Sequence, residues 1–372
     1  MRPTWASIDL DAIEHNVRAL RAIVAPAQLC AVVKANGYGH GAVPVARAAE
    51  RGGASWLAVA FVDEGLELRA AGIDVPILVL SEPRPDEMRA ARAADLRVTV
   101  YTATGVRAAA ASASASVDKP WPVQLKLDTG MNRVGADPRD AAQLADAIIA
   151  SGSLTLESVW THLAVADEPG HPFTTTQLDR FAAALDLLES RGHHVAMTHA
   201  ANSAAAIANP AARLALVRCG IAIYGIAPSG SLEGLAPLRA ALVLRSEITH
   251  VHDVAEGETV SYGRRWCATE RARVATVPIG YADGVRRSYG LDGGEVLVRG
   301  ARCAVLGVVT MDQLMIDISE MDATVGDEVI LIGRQGDEVI TANEVGEVLG
   351  TIGYEVTCAI SGRVPRRYLG GE

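Results

Sequence analysis

The chain is short of aromatic residues, cysteines, basic residues and long apolar runs, and each shortage excludes something. Aromatics make up 4% of the 372 residues, so a tyrosine beside glycine or a tryptophan at a strand end calls for a reason. The five cysteines (Cys30, Cys219, Cys267, Cys303, Cys358) are an odd number at irregular spacing. That excludes a disulfide framework, a redox pair and a zinc cluster, and predicts small buried thiols and no metal. A formal charge of −10 without any basic run argues against a nucleic-acid partner. No window approaches the roughly 18 uninterrupted apolar residues of a membrane span. Residues 1–5 lead straight into patterned sequence, without a signal peptide's charged head and apolar stretch. A soluble, cytoplasmic protein is expected.

What is present is ordinary globular material, 49% hydrophobic and 21% charged, and the length suggests two domains. Over the first two-thirds, β-prone runs at 29–33, 56–61, 76–80, 96–100, 123–127, 154–160, 195–198 and 215–217 alternate with helical patterns. The clearest helices cover 43–50, 104–115, 140–150 and 177–191. Several end at glycine (Gly52, Gly72, Gly152, Gly192), as a left-handed C-cap requires. Strand-then-helix repeated about eight times predicts a (β/α)8 TIM-type barrel over 1–235, although an open doubly wound sheet alternates similarly. Beyond about residue 236 the texture changes. Val/Ile-rich runs at 242–251, 272–277, 295–298, 304–309, 314–318 and 329–332, broken by glycine turns, predict a C-terminal mainly β domain over 236–372 with one helix at 342–349. The Ala/Ser patch at 111–116 reads as a helix end running into a surface loop.

The densest candidate site is Val32-Val33-Lys34-Ala35-Asn36-Gly37-Tyr38-Gly39-His40-Gly41. Lys34 follows the first barrel strand at the end where barrel enzymes keep their chemistry, and an apolar setting favours a neutral, nucleophilic amine. A lysine whose stem merely lies on the sheet reads the same way. Residues 37–42 also satisfy the G-x-G-x-x-G/A dinucleotide pattern, with Asp63 and Glu64 following the next strand, so a nucleotide-dependent dehydrogenase stays open. The loops after strands seven and eight carry His199-Ala200-Ala201-Asn202-Ser203 and Arg218-Cys219-Gly220-Ile221. A helix start with a serine and glycine-exposed amides makes an anion cradle, unless Ser203 is only an N-cap. Lys126, Arg133 and His162 complete an ionisable mouth, whereas His193 and His194 read as solvated. In the β domain Tyr262 and Tyr281 each stand beside glycine, and Met311, Asp312 and Tyr354 complete the candidates. A phenol serves as a base only where cations such as Arg264 or Arg265 lower its pKa.

Read in order, V-V-K-A-N-G-Y-G-H-G, D-T-G-M-N-R-V-G, T-H-L-A-V-A-D, A-N-S-A-A, G-I-A-I-Y-G, V-S-Y-G, G-Y-A-D-G, T-M-D-Q and R-V-P-R resemble the alanine racemases over essentially the whole chain. The resemblance implies a pyridoxal 5′-phosphate enzyme interconverting L- and D-alanine. It also implies a homodimer in which one subunit's barrel and the other's β domain build each site. Lys34 matches the lysine that holds the cofactor and acts as one of two bases; Tyr262 matches the other. By the same resemblance Arg133 contacts the cofactor phenolate and the substrate carboxylate, Arg218 faces the pyridine nitrogen, and His162 orients Arg218. Tyr38, Ser203, Gly220, Ile221 and Tyr354 resemble the phosphate cradle, with Asn202 beside it. Met311 matches the residue whose amide holds the substrate carboxylate, Tyr281 and Asp312 line the entrance, and Lys126 matches a position carbamylated in some members. Tyr354, Tyr281 and Met311 are expected to leave room for little beyond a methyl group, with serine a poor second substrate. A racemase of another small amino acid and a same-fold decarboxylase are the alternatives, and the decarboxylase would be expected to carry an acid where Arg218 stands. Cys219 departs from the family, which usually has proline there, and is expected to loosen that loop.

Overall fold

The computed structural model describes residues 2–113 and 120–371. The last two residues of the helix predicted at 104–115, and the end of the Ala/Ser patch, lie outside these. The chain forms two compact units: one comprises Ile13–Gly37 and Ala42–Arg239, the other Met1–Ala12, Tyr38–Gly41 and Ala240–Glu372. The boundary expected at 235/236 therefore falls a few residues later, and two distant pieces join the C-terminal unit. The first of these contains strand β1 (Thr4–Asp9), which sequence order had assigned to the barrel.

The larger unit is a barrel of eight parallel strands, β2 (Gln28–Val32), β3 (Trp56–Val59), β4 (Ile77–Val79), β5 (Arg97–Val100), β6 (Trp121–Lys126), β7 (Leu154–Trp160), β8 (Met197–His199) and β9 (Leu216–Cys219). They lie side by side in the order β8-β7-β6-β5-β4-β3-β2-β9. Ala215 N–H donates to Thr198 O (3.1 Å) and Arg218 N–H to Ala201 O (3.0 Å), which brings the two outer strands together. Such strands are covered on both faces, so they read as short continuous apolar runs; β3 and β4 are buried throughout. Each of the eight predicted runs is one of these strands, to within a few residues. Helices lie between them, among them Ala42–Gly52, Val62–Ala70, Ala141–Ala150 and Pro172–Ser190. The first of these ends differently from expectation: Gly52 is its last residue, packed on Val17, and Gly53 takes the left-handed conformation. Gly72, Gly152 and Gly192 are left-handed as expected.

The second unit is mainly β. Its strands are β1, β10 (Leu242–Glu247), β11 (His250–Val254), β12 (Thr259–Val260), β13 (Trp266–Cys267), β14 (Ala272–Val277), β15 (Glu295–Val298), β16 (Ala301–Ala304), β17 (Leu314–Asp317), β18 (Glu328–Gln335), β19 (Glu338–Ile340) and β20 (Arg366–Leu369). The large sheet runs β16-β15-β18-β10-β1-β20 with β19 beside β18, and a second runs β11-β14-β17. β1 sits inside the large sheet, antiparallel to β10 (Thr4↔Ser246) and parallel to β20 (Ala6↔Arg366). The run 242–251, expected as one strand, is two strands in different sheets. It breaks where Ile248 N–H turns to Asp327 O and Thr249 N–H to Thr276 O. Residues 304–309 hold only the end of β16 and a bridge from Val305 to Ile316. A second helix, Gly353–Ala359, follows Ala342–Val348. Among the described residues no helix is long and apolar enough to cross a membrane.

Candidate active site

Five barrel strands (β2, β6, β7, β8 and β9) end in or just before ionisable groups. After β2 the chain turns through Lys34, which is half-buried, into left-handed residues: Ala35 (φ 52°), Asn36 (φ 52°) and Gly37 (φ 60°). Left-handed non-glycine residues cost about 1–2 kcal/mol each, so the turn must be held by its surroundings. Gly37 N–H donates to Val33 O (2.9 Å), Ala42 N–H to Asn36 Oδ1 (3.0 Å) and Ala35 N–H to Glu64 Oε1 (2.6 Å). On the strand behind Lys34, Tyr224 Oη donates to Val32 O at 3.0 Å.

Arg218, on β9, is 3% exposed, and its two terminal nitrogens are held by four acceptors. Nη1 donates to His199 Nδ1 (2.6 Å), and Nη2 donates to Thr161 O (2.8 Å), Ala200 O (3.0 Å) and His162 Nδ1 (3.1 Å). A guanidinium cannot accept, so both Nδ1 atoms are unprotonated and both rings are neutral. Electrostatics agree: burial first, then Arg218, holds both imidazoles well below the ordinary histidine range, and Arg133, Lys126 and Lys34 add to the effect at His162. With Nδ1 accepting, His199 carries its proton on Nε2 and donates it to Gln124 Oε1 (3.0 Å), whose amide donates to Glu157 Oε2 (3.2 Å). Arg218 and Lys126 both lie against the Trp160 ring, at 4.6 and 4.7 Å from its centroid, and Trp160 stacks on His199. Burial, then Arg133 and Arg218, pushes the Lys126 amine down to about 8; burial pushes Arg218 down to about 10, still charged at neutral pH.

Arg133 is exposed on the loop after β6. Asp128 shapes that loop by accepting from Gly130 N–H (2.9 Å) and Asn132 N–H (3.0 Å) through Oδ1. Between β8 and β9 the N-cap is Asn202, whose Oδ1 accepts from Ala205 N–H (3.0 Å), not Ser203. Ser203 Oγ instead accepts from Gly220 N–H (2.9 Å) and Ala222 N–H (3.4 Å), tying the two loops together around Ile221.

In the second unit Tyr38 and Tyr354 face one another with ring centroids 6.2 Å apart. The Tyr281 and Met311 turns are joined by Tyr281 N–H to Thr310 O (2.9 Å) and Ala282 N–H to Met311 O (3.1 Å). Asp312 pairs with Arg363 at 2.7 Å. Tyr262 is 70% exposed on a turn of left-handed Ser261, Gly263 and Arg264, and Arg264 Nε donates to Thr259 Oγ1 (3.3 Å) rather than to the phenol.

Several expectations are corrected. Two glycines of residues 37–42 have a packing reason of their own. A Cβ on Gly39 would stand 2.2 Å from Thr357 O, and one on Gly41 would stand 2.0 Å from Tyr368 Oη, so both exist for close packing. Glu64, the candidate ribose acid, spends its carboxylate on backbone amides. His193 is buried, with Nε2 2.8 Å from Asp146 Oδ1, and only His194 is exposed. Cys30, Cys219 and Cys303 are buried, but Cys267 and Cys358 are exposed. Cys219 is fully buried and its thiol is pushed up to about 12 by burial. His199, Trp160 and Glu64 were missed as site-shaping residues; the signal for the first two was their position at the ends of β8 and β7. No group of three or more potential metal ligands occurs among the described residues.

A parallel eight-stranded barrel whose C-terminal end gathers Lys34, Lys126, Arg133 and Arg218 around neutral histidines defines a barrel enzyme built for an anionic ligand. Residues 8–228 match the model of the alanine racemase N-terminal domain and residues 241–368 that of the C-terminal domain. An alanine racemase of Symbiobacterium thermophilum is 46% identical, over 100% of this chain and 98% of its own. A crystal structure of alanine racemase from D-cycloserine-producing Streptomyces lavendulae superposes with TM-score 0.94 at 41% identity, covering 100% of this chain and 98% of that one. The Bacillus anthracis alanine racemase with bound L-Ala-P gives 0.92 at 39%, covering 100% and 96%. The chain belongs to the alanine racemase family.

Proposed function

We propose that the protein interconverts L- and D-alanine with pyridoxal 5′-phosphate, as a cytoplasmic homodimer. The observation that carries this reading is the set of cations (Arg218, Arg133, Lys126, Lys34) that all bear on one neutral histidine, His162. Such a cluster calls for anionic charge, and a phosphate, a phenolate and an amino-acid carboxylate supply it. The donor set fits the cofactor in detail. Ser203 Oγ accepts two amides and so keeps its own proton to donate, as a phosphate oxygen requires. Asn202, Gly220, Ile221, Tyr38 and Tyr354 are the further candidates for that end of the cofactor.

When bound, the cofactor withdraws electrons and so acidifies the amino acid's α-carbon. Lys34 holds the cofactor through Nζ and moves the α-proton on one face. Tyr262, contributed by a second copy of the chain, moves it on the other through Oη; its exposure in the single chain supports that assignment. Arg218, which keeps its proton, would face the pyridine nitrogen as a donor that does not protonate it, and the bound cofactor would then be a weaker electron sink. Arg133 and the Met311 amide hold the substrate carboxylate, and Tyr281 and Asp312 line the entrance. Lys126, whose amine is lowered toward neutrality, is the candidate carbamylation site. The buried thiols fit a reducing compartment.

Incubation of L-alanine with the loaded protein in deuterated water, followed by chiral mass spectrometry, tests the reading. D-alanine carrying one α-deuterium is expected. Unchanged L-alanine together with racemised serine would move the assignment to another small amino acid, and release of carbon dioxide would move it to decarboxylation.

A further inference from the structure

Glu64 has no chemical role assigned by the family motifs, yet it touches the turn that presents Lys34. As the third residue of the helix Val62–Ala70 it accepts, through Oε2, from Ala60 N–H (2.7 Å) and Phe61 N–H (3.2 Å), which is ordinary helix capping. Its other oxygen, Oε1, reaches across to the neighbouring strand end and accepts from Ala35 N–H at 2.6 Å. Ala35 directly follows Lys34 and opens the left-handed stretch, a conformation a non-glycine residue keeps only when its surroundings impose it. A carboxylate accepting backbone N–H makes a short, charge-assisted bond on each oxygen.

We propose that Glu64 is a positioning residue for the racemase reaction, fixing the direction in which Lys34 is presented by clamping the Ala35 amide to the loop after β3. This rests on the reading that Lys34 holds the cofactor and moves the proton. The fold contains its own control. Glu82 makes the same kind of clamp further round the barrel, accepting from Tyr101 N–H (2.6 Å), Thr102 N–H (2.9 Å) and Thr102 Oγ1 (2.7 Å) at the end of β5, which carries no site residue. Glu64→Gln keeps the size of the side chain but has one accepting oxygen. Its amide nitrogen must then face a backbone donor, so one arm of the clamp is lost.

The test compares Glu64→Gln and Glu64→Ala with Glu82→Gln, each as the full-length, cofactor-loaded protein. Both Glu64 variants are expected to lower kcat for L-alanine by about tenfold or more, because a small misplacement of a reacting group is costly. KM should change by less than about threefold, the pattern of an interaction that matters only to the chemical step. Amide hydrogen exchange across residues 33–38 should speed up by roughly tenfold in the Glu64 variants, reporting local opening of the turn. Glu82→Gln should share any loss of thermal stability while leaving kcat and that exchange unchanged. Normal kcat and normal exchange in Glu64→Gln would overturn the proposal. Borohydride trapping followed by peptide mapping separates the two layers: cofactor found elsewhere than on Lys34 in the unmodified protein would overturn the underlying reading, and this inference with it.

Discussion

Arg218 Nη1 donates to His199 Nδ1 at 2.6 Å, with both side chains buried, and this bond decides which ring nitrogen of His199 carries the proton. Because the guanidinium can only donate, His199 must carry its proton on Nε2 and pass its own bond to Gln124. His199→Ala removes an acceptor from a buried cation and a donor from Gln124. A loss of about 1–3 kcal/mol in unfolding free energy is expected, the usual cost of stranded buried polar groups. Urea unfolding of the cofactor-free protein measures it, and an unchanged midpoint would mean that water replaces the ring.

The two-base assignment makes opposite predictions for its members. Lys34→Ala should abolish the visible absorbance of lysine-held cofactor, whereas Tyr262→Phe should retain it and lose racemisation by roughly 10²–10⁴-fold, the usual range for a general acid–base group. Absorbance spectra and initial rates check both, and near-normal turnover in Tyr262→Phe would remove the tyrosine from the mechanism. Mixing the two inactive variants under exchange conditions should restore roughly a quarter of full activity, since half the dimers would be hybrids with one intact site. No recovery despite subunit exchange would confine each site to a single chain.

Lys126 provides a pH signature. Its amine is lowered from 10.5 to about 8 in the fold, so between those values the unfolded chain binds more protons and stability rises with pH. Below about pH 8 the cost of the buried charge is present in full. Relief by pH 10 should be on the order of 2–3 kcal/mol, from about 1.4 kcal/mol per pH unit. Buried thiols with raised pKa values work in the other direction, so the measured quantity is the difference between the unmodified protein and Lys126→Met, in buffer free of carbon dioxide. A flat difference would show the amine to be solvated.

Asp283 is 1% exposed, and Arg2 binds it through two bonds of 2.8 Å while Gly280 N–H donates at 3.0 Å. Arg2→Ala should cost about 2–3 kcal/mol. That is slightly below the usual value for breaking a buried pair, because Arg2 is partly exposed and Arg363 stands 3.4 Å from the same carboxylate. Thermal unfolding checks it, and Asp283→Asn in the Arg2→Ala background should recover part of the loss.

Cys30 and Cys219 are fully buried, and burial raises both thiols. Neither should react with a disulfide reagent at neutral pH until the protein unfolds. Rapid labelling of Cys219, mapped by mass spectrometry, would show that the Arg218 loop opens in the folded protein.

The sequence by itself determined the eight βα repeats, because apolar strand runs and helical spacing are local properties of the chain. It also marked Lys34, Arg218 and Tyr262 through ordered motifs. Tertiary structure alone decided the rest. β1 lies among C-terminal strands because its hydrogen-bonding partners, Ser246 and Arg366, are hundreds of residues away. One apolar run became two strands because Ile248 and Thr249 find their partners in different sheets. Glu64 looked like a ribose ligand by spacing, and only the placement of the Ala35 amide beside it shows where its charge is used. Which donor meets which acceptor is settled by distances between residues far apart in the chain, and no local pattern records them.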